Sequence, residues 1–206
     1  MSSVLKYEVY IQSCLTLLLQ KLGKYADAGD VVDMSTWTNA FAFDVVVEAM
    51  NLIGAGADTT SIGMRTCIYF VAMHDNVYSR LQQEIDNFYE ENKLDRPITY
   101  LETQKLPYLQ AVIKEATRLL PSIVFQLLRH TPPDFEVRGV KIPVNTPIGI
   151  SPLAQNRDQD IWGKDADDFR PDRWLENEEQ TKYFDRSTMT FGGSGPRMCI
   201  GRNIAL

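Results

Sequence analysis

The chain has 206 residues, enough for one sizeable domain, and its 44% hydrophobic content is that of an ordinary globular protein. A formal net charge of −6, with acidic and basic residues interspersed, speaks against nucleic acid as the main partner. The three unclustered cysteines give no disulfide framework and suit a reducing compartment. No uncharged apolar run of about 18 residues offers a membrane span. The best stretch, 41–57, is interrupted by Asp44 and Glu48, and Met1-Ser2-Ser3-Val4 is no signal peptide.

Val4, Tyr7, Ile11, Cys14, Leu15, Leu18 and Leu22 recur at three- to four-residue spacing and predict an amphipathic helix over 3–25, ended by Gly29. Ser35 is placed to cap a second helix running through Trp37, Phe41 and Val45. The stretch Gly54-Ala55-Gly56-Ala57-Asp58-Thr59-Thr60 admits two readings, because each glycine costs about 1 kcal/mol in a helix relative to alanine. One is a loop, with Asp58 capping a helix from Thr59 to Met73. The other is a continuous helix opened at Gly56, where a flat group can approach and the Thr59 hydroxyl enters the broken backbone ladder.

Val77, Leu81, Ile85 and Phe88 predict a helix over 76–91, and Thr99 with Glu102 fits a capping box. Leu106, Leu109, Val112, Ile113, Ala116, Leu119 and Leu120 form a helical stripe stopped at Pro121. On it Glu115 and Arg118 meet at i, i+3; as a solvated pair they would contribute only ~0.2–0.5 kcal/mol. From 123 to 151 the pattern turns to short strands: Phe135 to Val137, an Arg138-Gly139 turn, Val140 to Ile142, then Ile148 to Ile150, with Arg129 ahead of them. His130 reads as structural. The fold class is mainly α with a small β region.

Phe191-Gly192-Gly193-Ser194-Gly195-Pro196-Arg197-Met198-Cys199-Ile200-Gly201 sets a cysteine after a glycine-rich loop. The glycines permit positive-φ turns. Ile200, Ile204, Ala205 and Leu206 read as a helix's first turn, and a cysteine at a helix start is favoured as the thiolate that binds a soft metal. Arg197 adds a fixed positive charge suited to an anionic group. The plainer alternative is a buried cysteine after an ordinary loop. A phosphate loop needs a lysine that does not follow Gly201, and a zinc site needs clustered ligands, whereas Cys14, Cys67, Cys199, His74 and His130 are scattered.

These stretches resemble the cytochrome P450 family. Counted from Cys199, the residues Gly195, Arg197 and Gly201 match its haem loop, Phe-x-x-Gly-x-Arg-x-Cys-x-Gly, while Phe191 lies one residue too far upstream. Residues 55–60 are similar to the oxygen-binding motif, Ala/Gly-Gly-x-Asp/Glu-Thr, which favours the opened helix. Residues 114–121 look like the Glu-x-x-Arg helix, and Phe169-Arg170-Pro171-Asp172-Arg173-Trp174 supplies its arginine partner. The segment from Asn156-Arg157-Asp158 to Trp162-Gly163 is similar to the loop before that motif. The wording of Leu106 to Glu115 looks like filamentous-fungal enzymes of specialised metabolism.

The resemblance implies a partial P450 fold and haem b (iron protoporphyrin IX), with Cys199 as axial iron ligand. It implies that Arg129 and Arg197 hold propionates, that Phe191 and Gly195 shape the loop, and that Glu115, Arg118 and Arg173 lock the core behind the haem. A carboxylate facing two arginines can satisfy both oxygens, which makes such a buried cluster tolerable. Gly56, Asp58 and Thr59 are implied in oxygen binding and proton delivery. The implied activity is monooxygenation of a small-molecule substrate. Electrons would come from NADPH-cytochrome P450 reductase or a similar donor at the cytosolic face of the endoplasmic reticulum. A chain lacking the anchor is expected in the cytoplasm.

Residues 1–50 resemble a region further upstream in these enzymes, through Val32-Asp33-Met34, Trp37 and Ala42-Phe43-Asp44-Val45, and 51–206 the haem-binding core without its final helix and strands. The expectation is a truncated chain that also lacks internal helices, with a junction near 48–51 and exposed apolar faces. Its functional alternatives are a non-catalytic remnant with weak or no haem binding, and a helical interaction module without haem.

Overall fold

The computed structural model describes residues 2–50, 56–195, 197–199, 201 and 202, with side chains described except at 2–7, 9, 10 and 46–50. Of the expected helix at 200–206 only Gly201 and Arg202 are described, and Gly54 and Ala55 lie outside the described set. The first helix, α1 (Ser2–Ala28), ends where Gly29 takes φ +68° and its N–H donates to the Ala26 carbonyl at 3.1 Å. α2 (Met34–Met50) is capped by Asp33 rather than by Ser35. The Asp33 carboxylate accepts the Ser35 N–H at 2.9 Å and the Thr36 hydroxyl at 2.7 Å. Both residues are good caps; the helix starts two residues earlier than expected, so the upstream one serves.

α3 (Ala57–Ala72) lies along α2, with Ser61 Oγ donating to Asn39 and Arg65 Nη1 to Ser35 Oγ at 2.5 Å. Those two pairings run in opposite senses along the chain, so the helices are antiparallel. A single helix continuing from α2 into α3 is therefore not formed. The helix expected over 59–73 is present, and only its cap is corrected, since Gly56 occupies the cap position and Asp58 sits in the first turn. α2 bears apolar residues all round instead of on one stripe, yet Phe43 is 45% exposed.

α4 (Asp75–Asn92) and the single turn α5 (Tyr100–Thr103) follow as expected, with Glu102 accepting the Thr99 N–H at 2.7 Å. α6 (Pro107–Leu119) has Pro107 in its first turn and no cap of its own. Glu84 of α4 supplies one across space, its carboxylate accepting the Tyr108 and Leu109 N–H groups at 2.8 and 2.9 Å. One face of α6 packs Tyr108 and Val112 on Val77, and Ala111 meets Trp162, Ala166, Trp174 and Phe184. Complete burial of Val112 or Leu119 stabilises by about 1.5–3 kcal/mol each.

The β region is two short antiparallel pairs. β1 (Arg129–His130) pairs with β4 (Pro147–Ile148), so Arg129 opens a strand instead of preceding the strands. β2 (Glu136–Val137) and β3 (Val140–Lys141) form a hairpin closed by Arg138 at φ +50° and Gly139 at φ +80°. Positive φ at both turn residues matches the right-handed twist of the flanking strands. His130 Nδ1 lies 3.0 Å from the Asn145 carbonyl, in keeping with a structural role. The short helices α7 (Pro152–Gln155) and α8 (Gln159–Trp162), a 3-10 turn at Pro171–Trp174, and α9 (Glu178–Ser187) lead to the cysteine loop.

Candidate functional site

α6 carries the best-defined polar cluster. Glu115 is fully buried, and its carboxylate accepts Arg118 Nε and Nη2 at 2.8 Å each, Arg173 Nε at 2.8 Å, Trp174 Nε1 at 2.9 Å and the Arg170 N–H at 3.0 Å. The guanidinium forks spend their remaining donors on carbonyls. Arg118 Nη1 reaches the Asn156 and Ala166 carbonyls at 2.6 and 2.7 Å, and Arg173 reaches the Trp162 and Asp165 carbonyls at 3.0 and 2.7 Å. A buried ion pair is tolerable when each lone pair and each N–H finds a partner. Among the described residues no buried side-chain nitrogen or oxygen is left without one.

Sequence spacing found Glu115 and Arg118, and the resemblance found Arg173. Trp174 and the Arg170 N–H were missed, although Trp174 adjoins Arg173 in the quoted motif. A tryptophan beside a buried arginine was the available signal, because a buried indole N–H needs an acceptor. Asp165 was missed as well: burial pushes its carboxyl up, but Arg173 and Arg170 together pull it below its ordinary value. All three members of the Glu115–Arg118–Arg173 cluster are buried, with both arginines bonded to Glu115, and their carbonyl partners tie loop segments to α6.

The cysteine loop is built differently. Gly192, Gly193 and Gly195 have φ of +82°, +78° and +93°, a region L side chains rarely adopt, so these positions require glycine. The Cys199 N–H donates to the Phe191 carbonyl at 2.9 Å and closes the loop, while Arg202 lies over the Phe191 ring at 5.9 Å. The displaced Phe191 thus serves the loop through its carbonyl and its ring. Cys199 is exposed, whereas Cys14 and Cys67 are half-buried and burial pushes the Cys67 thiol up to about 11. Gly201 lies beside the sulfur: a Cβ added there would sit 3.8 Å from Cys199 Sγ. Among the described residues no three His, Cys, Asp or Glu side chains come together to cage a metal ion.

The segment that meets this loop through Leu127 exposes apolar and basic residues. The Leu127 side chain borders Gly192, and Leu128 borders Gly149; Leu128, Ile150 and Phe125 are 55%, 53% and 65% exposed. Arg197 is exposed, and so is Arg129, whose Nη1 donates to the Leu128 carbonyl at 2.8 Å. At the start of α3, Asp58 is exposed and Thr59 Oγ1 donates to the Gly56 carbonyl at 3.4 Å. Ser122 Oγ donates to the Thr59 carbonyl at 2.6 Å, tying that turn to the chain leaving α6.

A family profile described as Cytochrome P450 matches residues 44–206. The chain belongs to the cytochrome P450 family. Members of this family normally use haem. This P450 is 41% identical over 162 residues to the cytochrome P450 monooxygenase cicH of Emericella nidulans, covering 78% of the chain and 32% of the relative. It is 37% identical over 164 residues to the cytochrome P450 monooxygenase gsfF of Penicillium aethiopicum, covering 79% and 32%. Against a pisatin demethylase of Fusarium vanettenii it is 33% identical over 224 residues, covering the whole chain and 42% of the relative. The chain thus spans about a third to two fifths of the length of the curated relatives it matches. No helix among the described residues is long and apolar enough to cross a membrane.

Proposed function

We propose that this chain is the haem-thiolate portion of a fungal P450 monooxygenase that inserts one oxygen atom of dioxygen into a small organic substrate in secondary-metabolite biosynthesis. The observation that carries it is the exposed Cys199 sulfur, presented by a glycine-closed loop in a chain matched by the P450 profile. The surrounding residues suit haem b. Cys199 would give a porphyrin-held iron its single soft protein donor, Leu128 and Ile150 would offer apolar surface, and Arg129 and Arg197 would offer cations for the propionates. When bound, haem supplies the oxygen-activating chemistry, which a thiolate ligand favours by donating electron density.

The chain's own part is positional. The Glu115–Arg118–Arg173 cluster fixes the segments behind the loop. Gly56, Asp58 and Thr59 lie together at the start of α3, the stretch proposed for oxygen binding and proton delivery. Residues 1–50 are read as a helical segment from further upstream in a P450 and 51–206 as the haem-binding core. NADPH-cytochrome P450 reductase, at the cytosolic face of the endoplasmic reticulum, is the proposed electron donor.

The test is the carbon-monoxide difference spectrum of the reduced, haem-reconstituted protein. A red-shifted thiolate Soret band is expected, and an imidazole-like band or none contradicts the assignment. A second reading, a non-catalytic remnant that binds haem weakly or not at all, is favoured by the exposure of Cys199. Substrate oxidation with a reductase separates the two.

A further inference from the structure

Asn156 is fully buried at the end of α7, and each of its polar groups is engaged. Its N–H donates to the Pro152 carbonyl at 2.9 Å, and its carbonyl accepts Arg118 Nη1 at 2.6 Å. Its side chain reaches the opposite way: Oδ1 accepts the Met189 N–H at 2.7 Å and the Thr188 hydroxyl at 3.5 Å, and Nδ2 donates to Thr190 Oγ1 at 3.2 Å. Thr190 Oγ1 in turn donates to the Thr117 carbonyl at 3.2 Å. The residue after Thr190 is Phe191, whose carbonyl closes the cysteine loop by accepting the Cys199 N–H.

We infer that Asn156 is a positioning residue for Cys199: its amide side chain clamps residues 188–190 to the Arg118 end of α6 and so sets the base of the cysteine loop. An amide suits this place because it offers an acceptor to a backbone N–H and a donor to a hydroxyl at once. Inside a protein a donor or acceptor stripped of its partner bears the full desolvation cost, so the clamp is rigid as long as it is complete. The inference deepens the reading of Cys199 as iron ligand and names the part of the chain that aims it.

The experiment is residue-resolved amide hydrogen exchange on the full chain without haem, comparing the parent with Asn156→Ala. The Met189 and Cys199 amides are expected to exchange at least about tenfold faster relative to the α6 amides. Two results overturn the inference: a Cys199 amide that keeps its parent rate, or α6 amides that accelerate by the same factor, which marks a loss of general stability. If Asn156→Ala does not fold, Thr190→Val, nearly the same shape without the hydroxyl, is read at the same amides. It should accelerate Cys199 exchange by about threefold or more, and an unchanged rate overturns the inference. Because no haem is present, failure here leaves the iron-ligand reading to its own spectroscopic test.

Discussion

Glu115 gathers five hydrogen bonds from Arg118, Arg170, Arg173 and Trp174, the last 59 residues away. At the other end of the molecule, α2 is joined to α3 by Ser61 to Asn39 and by Arg65 to Ser35, and α1 is tied to the body by Gln12 Nε2 on the Ile98 carbonyl at 3.3 Å and by Glu8 accepting the Tyr100 N–H at 2.7 Å. Both regions are helical, but a buried charge cluster with every partner satisfied over-determines the first, while a few single bonds and an apolar helix without a defined face specify the second. Helical propensity does not make a region rigid; long-range satisfaction of buried polar groups does.

The comparison breaks most sharply at Glu115. Glu115→Ala leaves two buried guanidiniums without their counter-charge and should lower the unfolding free energy in urea by about 3–5 kcal/mol. A loss under about 1 kcal/mol would put the cluster on a par with a surface ion pair. Trp174→Phe keeps the packing against Trp162 and Phe184 but removes one donor to the carboxylate, so about 1.5–3 kcal/mol is expected. Asn39→Ala at the α2–α3 contact should cost only about 0.5–1.5 kcal/mol in the same assay. If it matches Glu115→Ala, the two regions are equally determined and the contrast fails.

The mildest prediction concerns acid. The Arg96 fork, with the Thr99 N–H and hydroxyl, holds the Glu102 carboxyl at about 2, below its ordinary 4.5. A carboxylate whose folded value is depressed stabilises fully above its unfolded value, and that contribution is lost as pH falls from about 4.5 through about 2. The Thr99 amide resonance should titrate near the lower value in the parent and lose that step in Glu102→Gln. A midpoint near 4.5 would show that Arg96 does not engage it.

How much of this was legible in the sequence follows the same division. The α6 stripe, the Glu115–Arg118 spacing and the Arg138-Gly139 turn are local patterns, and local patterns can be read from a chain. Asp33 capping α2 in place of Ser35 shows the limit, since two acceptable caps lie two residues apart and only the path of the chain selects one. The reversal between α2 and α3 was missed because an apolar run interrupted by glycines serves an opened helix as well as a hairpin. Trp174, Glu84 and Asn156 act across 24 to 59 residues on backbone or side-chain partners, and no periodicity announces such partners.

The assignment as a whole turns on the sulfur of Cys199, and the most direct measurement compares the parent with Cys199→Ala after haem reconstitution and reduction under carbon monoxide. The account predicts the thiolate-type Soret band in the parent and its loss in the variant. The same band in both proteins would contradict it.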